Sequence, residues 1–127
     1  MSVWSEYQPN PAGRNVGDCA VRAVAKALNT DWETAFAEIV SSAYMMADMP
    51  SSNAVWGAVL RKHGFKRTSI PDTCPDCYTA ADFVIDHPNG VYVLGFGNHV
   101  ATAVDGVVFD SYNSTNLIPQ YFWHKEE

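Results

Sequence analysis

The dipeptide Asp105-Gly106 constrains the fold of this chain more than any other feature of it. Asp-Gly accepts the positive φ values of a two-residue hairpin turn, whose twist matches that of the strands it joins. The flanks, residues 99–104 and 107–112, are rich in Val, Ala, Thr and Phe and read as an antiparallel hairpin. A two-residue turn also sets the register. Val104 pairs with Val107, Ala101 with Asp110 and His99 with Tyr112. Side chains at 99, 101 and 103 then share a face with those at 108, 110 and 112. His99 and Asp110 become diagonal neighbours, within reach of an imidazole-to-carboxylate hydrogen bond.

The rest of the chain is organised around this hairpin. Residues 5–17, with Pro, Asn and Gly, read as an extended arm and loop. A first helix spans about 18–28, with Val21, Val24, Ala25 and Leu28 on one buried stripe and Asn29 as its stop. Thr30 and Glu33 have the spacing of a capping box and start a second helix that runs to about Tyr44. Residues 45–50 break the pattern. Ser51 or Ser52 caps a third helix, which runs to His63 and stops at Gly64. A short strand at 65–70 and a loop at 71–78 follow. A brief helix starts at Thr79 and ends at His87-Pro88-Asn89-Gly90. Strands are expected at 91–96, 99–104 and 107–112, with 120–124 as a further edge strand. Helices first and antiparallel strands last is an α+β pattern. No repeat or linker interrupts residues 1–127, which read as a single domain.

Composition sets outer limits on function. A hydrophobic fraction of 47% with 13% aromatics supports a real core. The formal charge is −6 and there is no Lys/Arg run, which argues against nucleic acid or an anionic membrane as a partner. The N-terminal residues lack the pattern of a signal peptide, and no stretch has the length of a membrane span. A cytoplasmic setting is therefore expected. Three cysteines there suggest free thiols, a metal or a catalytic role.

Cys19 carries the strongest chemical signal. It opens the first helix after Asn15-Val16-Gly17-Asp18, where unsatisfied N–H groups and the helix dipole favour a thiolate. Asp18 would oppose this unless it caps the helix and faces away. Some eighty residues on, His99 supplies a base and Asp110 an orienting acid, with Asn113 as the reserve orienting residue. The Cys19 N–H and the Asn15 carboxamide are candidate oxyanion donors. Gly17 lets a substrate approach the backbone. Arg22, one turn after Cys19, could neutralise Asp18 or hold a substrate carboxylate, but reads best as a solvated side chain.

Asn15, Cys19 at a helix start, and His99 and Asp110 on late adjacent strands resemble the papain-like cysteine peptidase superfamily. The segment Gly13-Arg14-Asn15-Val16-Gly17-Asp18-Cys19-Ala20-Val21-Arg22-Ala23 and the His99 hairpin are also similar to small papain-like proteins of bacteriophage origin. The resemblance implies a papain-like fold, N-terminal helices packed on a C-terminal antiparallel sheet. It implies Cys19 as nucleophile, His99 as base, Asp110 as orienter and Asn15 as oxyanion donor. The chain departs from the superfamily in having Asn, close to the cysteine, where a more distant Gln is usual. Its interval from histidine to acid is also short.

The expected activity is that of a cysteine peptidase or amide hydrolase, acting on a peptide or amide without a cofactor, in the host cytoplasm if phage-encoded. Transglutaminase-like or acyltransferase chemistry would use the same triad. A non-catalytic phage protein that binds a host protein or small molecule is the alternative from another class. Cys74-Pro75-Asp76-Cys77 has metal-ligand spacing, but a zinc site wants four ligands, and His63 and His87 are the only flanking histidines. The two cysteines read as free thiols bracing a loop, able to form a disulfide when oxidised; zinc or a redox role is the lesser reading. Met45, Met46 and Met49 beside Tyr44 suggest adaptable core or a groove wall. Trp32 and Trp56 read as core aromatics. Gly95 and Gly97 precede no helix, which removes nucleotide binding. Residues 45–52 and 72–78 are the expected walls of the substrate site.

Overall fold

The computed structural model describes residues 3–125. Helix α1, Cys19–Ala27, buries Val21, Val24 and Ala25 as its spacing demands, and Asn29 ends it at φ +54°. Helix α2, Trp32–Met46, starts one residue later than expected. Its cap is Asp31, whose carboxylate accepts the Thr34 N–H at 2.7 Å, and Thr30 does not form the capping box. Helix α3, Asn53–Lys62, follows Ser52. Helix α4, Ala80–Asp86, opens on a complete capping box between Thr79 and Asp82.

The strands are β1 (Trp4–Glu6), β2 (Phe65–Ser69), β3 (Val91–Gly95), β4 (Val100–Val104), β5 (Val107–Asp110) and β6 (Tyr121–Lys125). They form one sheet in the order β1-β5-β4-β3-β6-β2. Two sequence expectations need correction. Part of the expected N-terminal arm is a strand, β1, and it runs parallel to β5, so the sheet is mixed. The C-terminal strand is not an edge: β6 lies between β3 and β2 and pairs with both.

The central hairpin follows the expected register. Val104 opposes Val107, and Thr102 opposes Phe109. Asp105 and Gly106 have φ of +49° and +84°, the pattern of a type I′ turn. A second tight turn at Gly97-Asn98 joins β3 to β4, with Phe96 N–H bonded to His99 C=O at 2.8 Å.

Alternation along the strands divides the core. Val93, Val100, Tyr121 and Trp123 pack against α1, α2 and α3. Leu94, Ala101, Ala103 and Val108 pack against Phe83 and Val84 of α4 on the opposite face. Thr102 faces α1, where its hydroxyl donates to Ala23 C=O at 2.7 Å. Small side chains at Ala23 and Ala25, both buried, let α1 lie close to the sheet. This brings the first turn of α1 beside the start of β4. The architecture is α+β, with helices on both faces. Among the described residues no helix is long and apolar enough to cross a membrane.

Candidate active site at the start of helix α1

Cys19 is the first residue of α1 and is half-buried. Its sulfur meets the His99 side chain and the Val100 N–H. His99 stands one residue before β4, between the rings of Phe96 (6.0 Å between centroids) and Tyr112 (5.1 Å). Its Nε2 lies 2.6 Å from Asp110 Oδ2. That leaves Nδ1 for the thiol. Asp110, at the end of β5, is buried and amply supplied with donors. Oδ1 accepts the Ser111 N–H at 2.7 Å and approaches Arg22 Nη2 at 3.5 Å, while Oδ2 also accepts the Ser114 hydroxyl at 2.6 Å. Cys19, His99 and Asp110 thus form one continuous chain of contacts.

The charges within this chain reinforce one another. For Cys19, burial is the strongest single influence and pushes the thiol up. The hydrogen bonds from His99 and Val100, with the charges of His99 and Arg22, outweigh it and hold the thiol below its ordinary value. For His99, burial pulls down most strongly, but the bonds to Asp110 and Cys19 and their negative charges raise it from 6.5 to about 9. Asp110 is pushed up by burial, yet His99, Ser114 and Ser111 together keep it below the usual carboxylate range. Both shifts favour a thiolate beside an imidazolium over the neutral pair.

Asp18 does not cap α1 with its side chain, as the sequence allowed. Its carboxylate pairs with the Arg22 guanidinium and accepts the Trp32 indole N–H at 2.9 Å. Arg22 is buried, not solvated, and links Asp18 to Asp110. Its spacing from Asp18, one helical turn, was a signal available in the sequence. Ser114 carried none, because only the loop after β5 brings it back to Asp110. Asn113 is not an orienting residue: it is exposed, and its Oδ1 accepts the N–H and hydroxyl of Thr115.

Two grooves meet at the thiol. A polar one, about 530 Å³, is lined by Asn15, Gln8, Arg22 and Tyr112. Asn15 is exposed at its rim. Gln8, missed in the sequence, accepts Asn10 N–H on its Oε1 at 3.4 Å. The other groove, about 660 Å³, is lined by Val16, Trp32, Phe36, Pro50, Ser51 and Trp56. Trp32 stacks on Phe36 at 4.8 Å, so this aromatic is a groove wall and only Trp56 is core. From the expected walls, Pro50 and Ser51 contribute, whereas Tyr44, Met45 and Met49 stand exposed outside both grooves. Residues 72–78 also lie outside them.

Cys74 and Cys77 are joined in a disulfide, which removes both sulfurs as free thiols or zinc ligands in this state. Among the described residues no group of three or more His, Cys, Asp or Glu could hold a metal ion. His63 bonds Glu38, and His87 stacks on Phe83 at 4.0 Å. Compared with protein-family models, curated proteins and solved structures, the chain matches none.

Proposed function

We propose that this protein is a thiol-dependent acyl-transfer enzyme, a small cysteine peptidase or amide hydrolase of papain-like type. The observation that carries the reading is the unbroken line from the Cys19 sulfur through the His99 ring to a buried, four-fold supported Asp110. In such a line the Cys19 thiolate attacks a substrate carbonyl, forming a carbon–sulfur bond. Negative charge on the carbonyl oxygen is taken by the Cys19 N–H at the free end of α1, with Asn15 at the groove rim as second donor. His99 gives its proton to the leaving amine as the carbon–nitrogen bond breaks. Water, losing its proton to His99, then attacks the thioester and releases the acid and the thiolate. Asp110 holds the ring and its charge throughout. The reaction requires no cofactor. A phage origin, which the resemblance of residues 13–23 and the His99 hairpin would imply, would set the protein in the host cytoplasm.

Two measurements test this. The rate of iodoacetamide alkylation at Cys19, followed by mass spectrometry, should be fast near pH 6 and fall when His99 is replaced by Ala. An activated ester such as p-nitrophenyl acetate should acylate Cys19, and the acyl group should then leave to water. Transfer to an added amine instead of water would make the site an acyltransferase. A thiol that titrates normally and ignores His99→Ala would leave only a binding role.

A further inference from the structure

The apolar groove shares Asn53 and Trp56 with a second cavity. That cavity is a smaller recess, about 210 Å³, whose lining does not include Cys19 or His99. Two arginines border it. Arg61, in the last turn of α3, lies with its guanidinium 5.1 Å from the Trp123 ring centre. Arg67, on β2 opposite Trp123, lies 4.1 Å from the Tyr121 ring centre. Both are exposed, and among the described residues neither has a carboxylate partner. That is notable in a chain with 14 Asp and Glu against 8 Lys and Arg. Stacking holds each guanidinium in place, and Arg67 uses only part of its donor fork, on the Ser69 hydroxyl at 3.4 Å. Tyr121 lines the recess. Its phenol is pushed up first by burial, is lowered by Arg67 and is raised by Cys19, so it feels both.

From this adjacency we infer that the substrate is extended, with an apolar group in the groove beside the reacting carbonyl and an anionic group beyond it, held by Arg61 and Arg67. The inference rests on the acyl-transfer reading of Cys19 and names its substrate class. Paired, preoriented guanidinium donors favour a carboxylate or phosphate over a neutral amide, and repel an ammonium. The apolar groove sets the distance at which that charge must sit.

The test uses chloroacetamides, in which the Cys19 sulfur bonds to the methylene carbon and chloride leaves. Four tails follow a common phenylalanyl unit: glutamate, phosphoserine, glutamine and lysine. Each rate is taken relative to iodoacetamide on the same protein. In the wild-type protein the acidic tails should react about tenfold faster than glutamine, a gain of the order of one charge-assisted contact, and lysine should be slowest. The ranking of glutamate against phosphoserine separates a carboxylate source of the charge from a phosphate one. Replacing both arginines (Arg61→Gln with Arg67→Gln) should level the four rates. Equal rates in the wild-type protein, or a preference that survives the double replacement, would overturn the inference while fast, His99-dependent iodoacetamide labelling left the enzyme reading standing. Slow labelling by iodoacetamide itself would remove the reading on which it rests.

Discussion

Asp110 shows how much of a triad lies outside its three members. A buried carboxylate can accept about four hydrogen bonds, and Asp110 has the Ser111 N–H, the Ser114 hydroxyl, the His99 ring and the edge of Arg22. Against its own burial, which pushes it up, His99, Ser114 and Ser111 hold it below the usual carboxylate range. Its charge in turn helps raise His99 to about 9, and the imidazolium helps lower Cys19. The effect should therefore travel. In Asp110→Asn, His99 loses that charge and its pKa falls, so the thiolate loses part of its support. The midpoint of the pH profile for iodoacetamide labelling at Cys19 should move upward, and the rate at pH 6 should drop. An unmoved profile would mean that Asp110 only fills space. At this scale the sequence was informative for residues whose partners are set by short-range geometry. The hairpin register brought His99 to Asp110, and the position before a helical stripe marked Cys19. It was uninformative for Ser114, whose hydroxyl reaches Asp110 through an irregular loop with no periodicity to read.

Among the elements, the central strands impose the tightest steric demand. Gly95 at the end of β3 faces Tyr121 of β6, and a Cβ there would fall 2.0 Å from the Tyr121 ring. No rotation of a flexible tip relieves this, because the contact is with the ring itself. Gly95→Ala should destabilise the fold by about 1–3 kcal/mol, the usual cost of overpacking a core, as read from urea unfolding. It should also disturb Tyr121 and hence the recess that Arg67 borders. Stability equal to wild type would show that the ring has somewhere to go. The elements most legible in the sequence were those with their own local signals: Asn29 and Gly64 as helix stops, the Thr79–Asp82 box, and the Asp105-Gly106 turn. β1 was hidden because it has only three residues, in a stretch leading into Pro, Asn and Gly, and its pairing is with residues a hundred positions away. The interior place of β6 was hidden for a related reason. Strand order is decided by which edges remain open after the hairpin forms, and no local pattern encodes it.

Across the whole molecule, Arg22 joins the helical layer to the sheet, since it bonds Asp18 at the start of α1 and reaches Asp110 at the end of β5. The thiol and the imidazole also span that junction, so their titration is linked to folding. His99 alone, raised from 6.5 to about 9, contributes stability that is fully present below 6.5 and is lost as pH rises through about 9. Cys19 alone, lowered from 9.0, contributes stability that is present above 9.0 and is lost as pH falls through its lowered value. Above both 6.5 and the lowered Cys19 value, and up to 9.0, the two slopes have opposite sign. Wherever the folded thiol is ionised in this window, the folded pair holds its proton on the imidazole while the unfolded pair holds it on the thiol, so folding moves the proton without releasing or taking one up. The pair should then leave stability nearly independent of pH in this window. Cys19→Ser deletes one side of the balance. His99 stays raised by Asp110, though less than before, and its term is no longer offset. Relative to wild type, the serine variant should lose unfolding free energy as pH rises above 6.5, until the variant's own His99 value is passed, measured by urea unfolding at several pH values. Groups elsewhere in the chain cancel in that difference. Parallel curves for the two proteins would mean that the proton resides on the sulfur in the native state, and that the thiolate–imidazolium pair does not form.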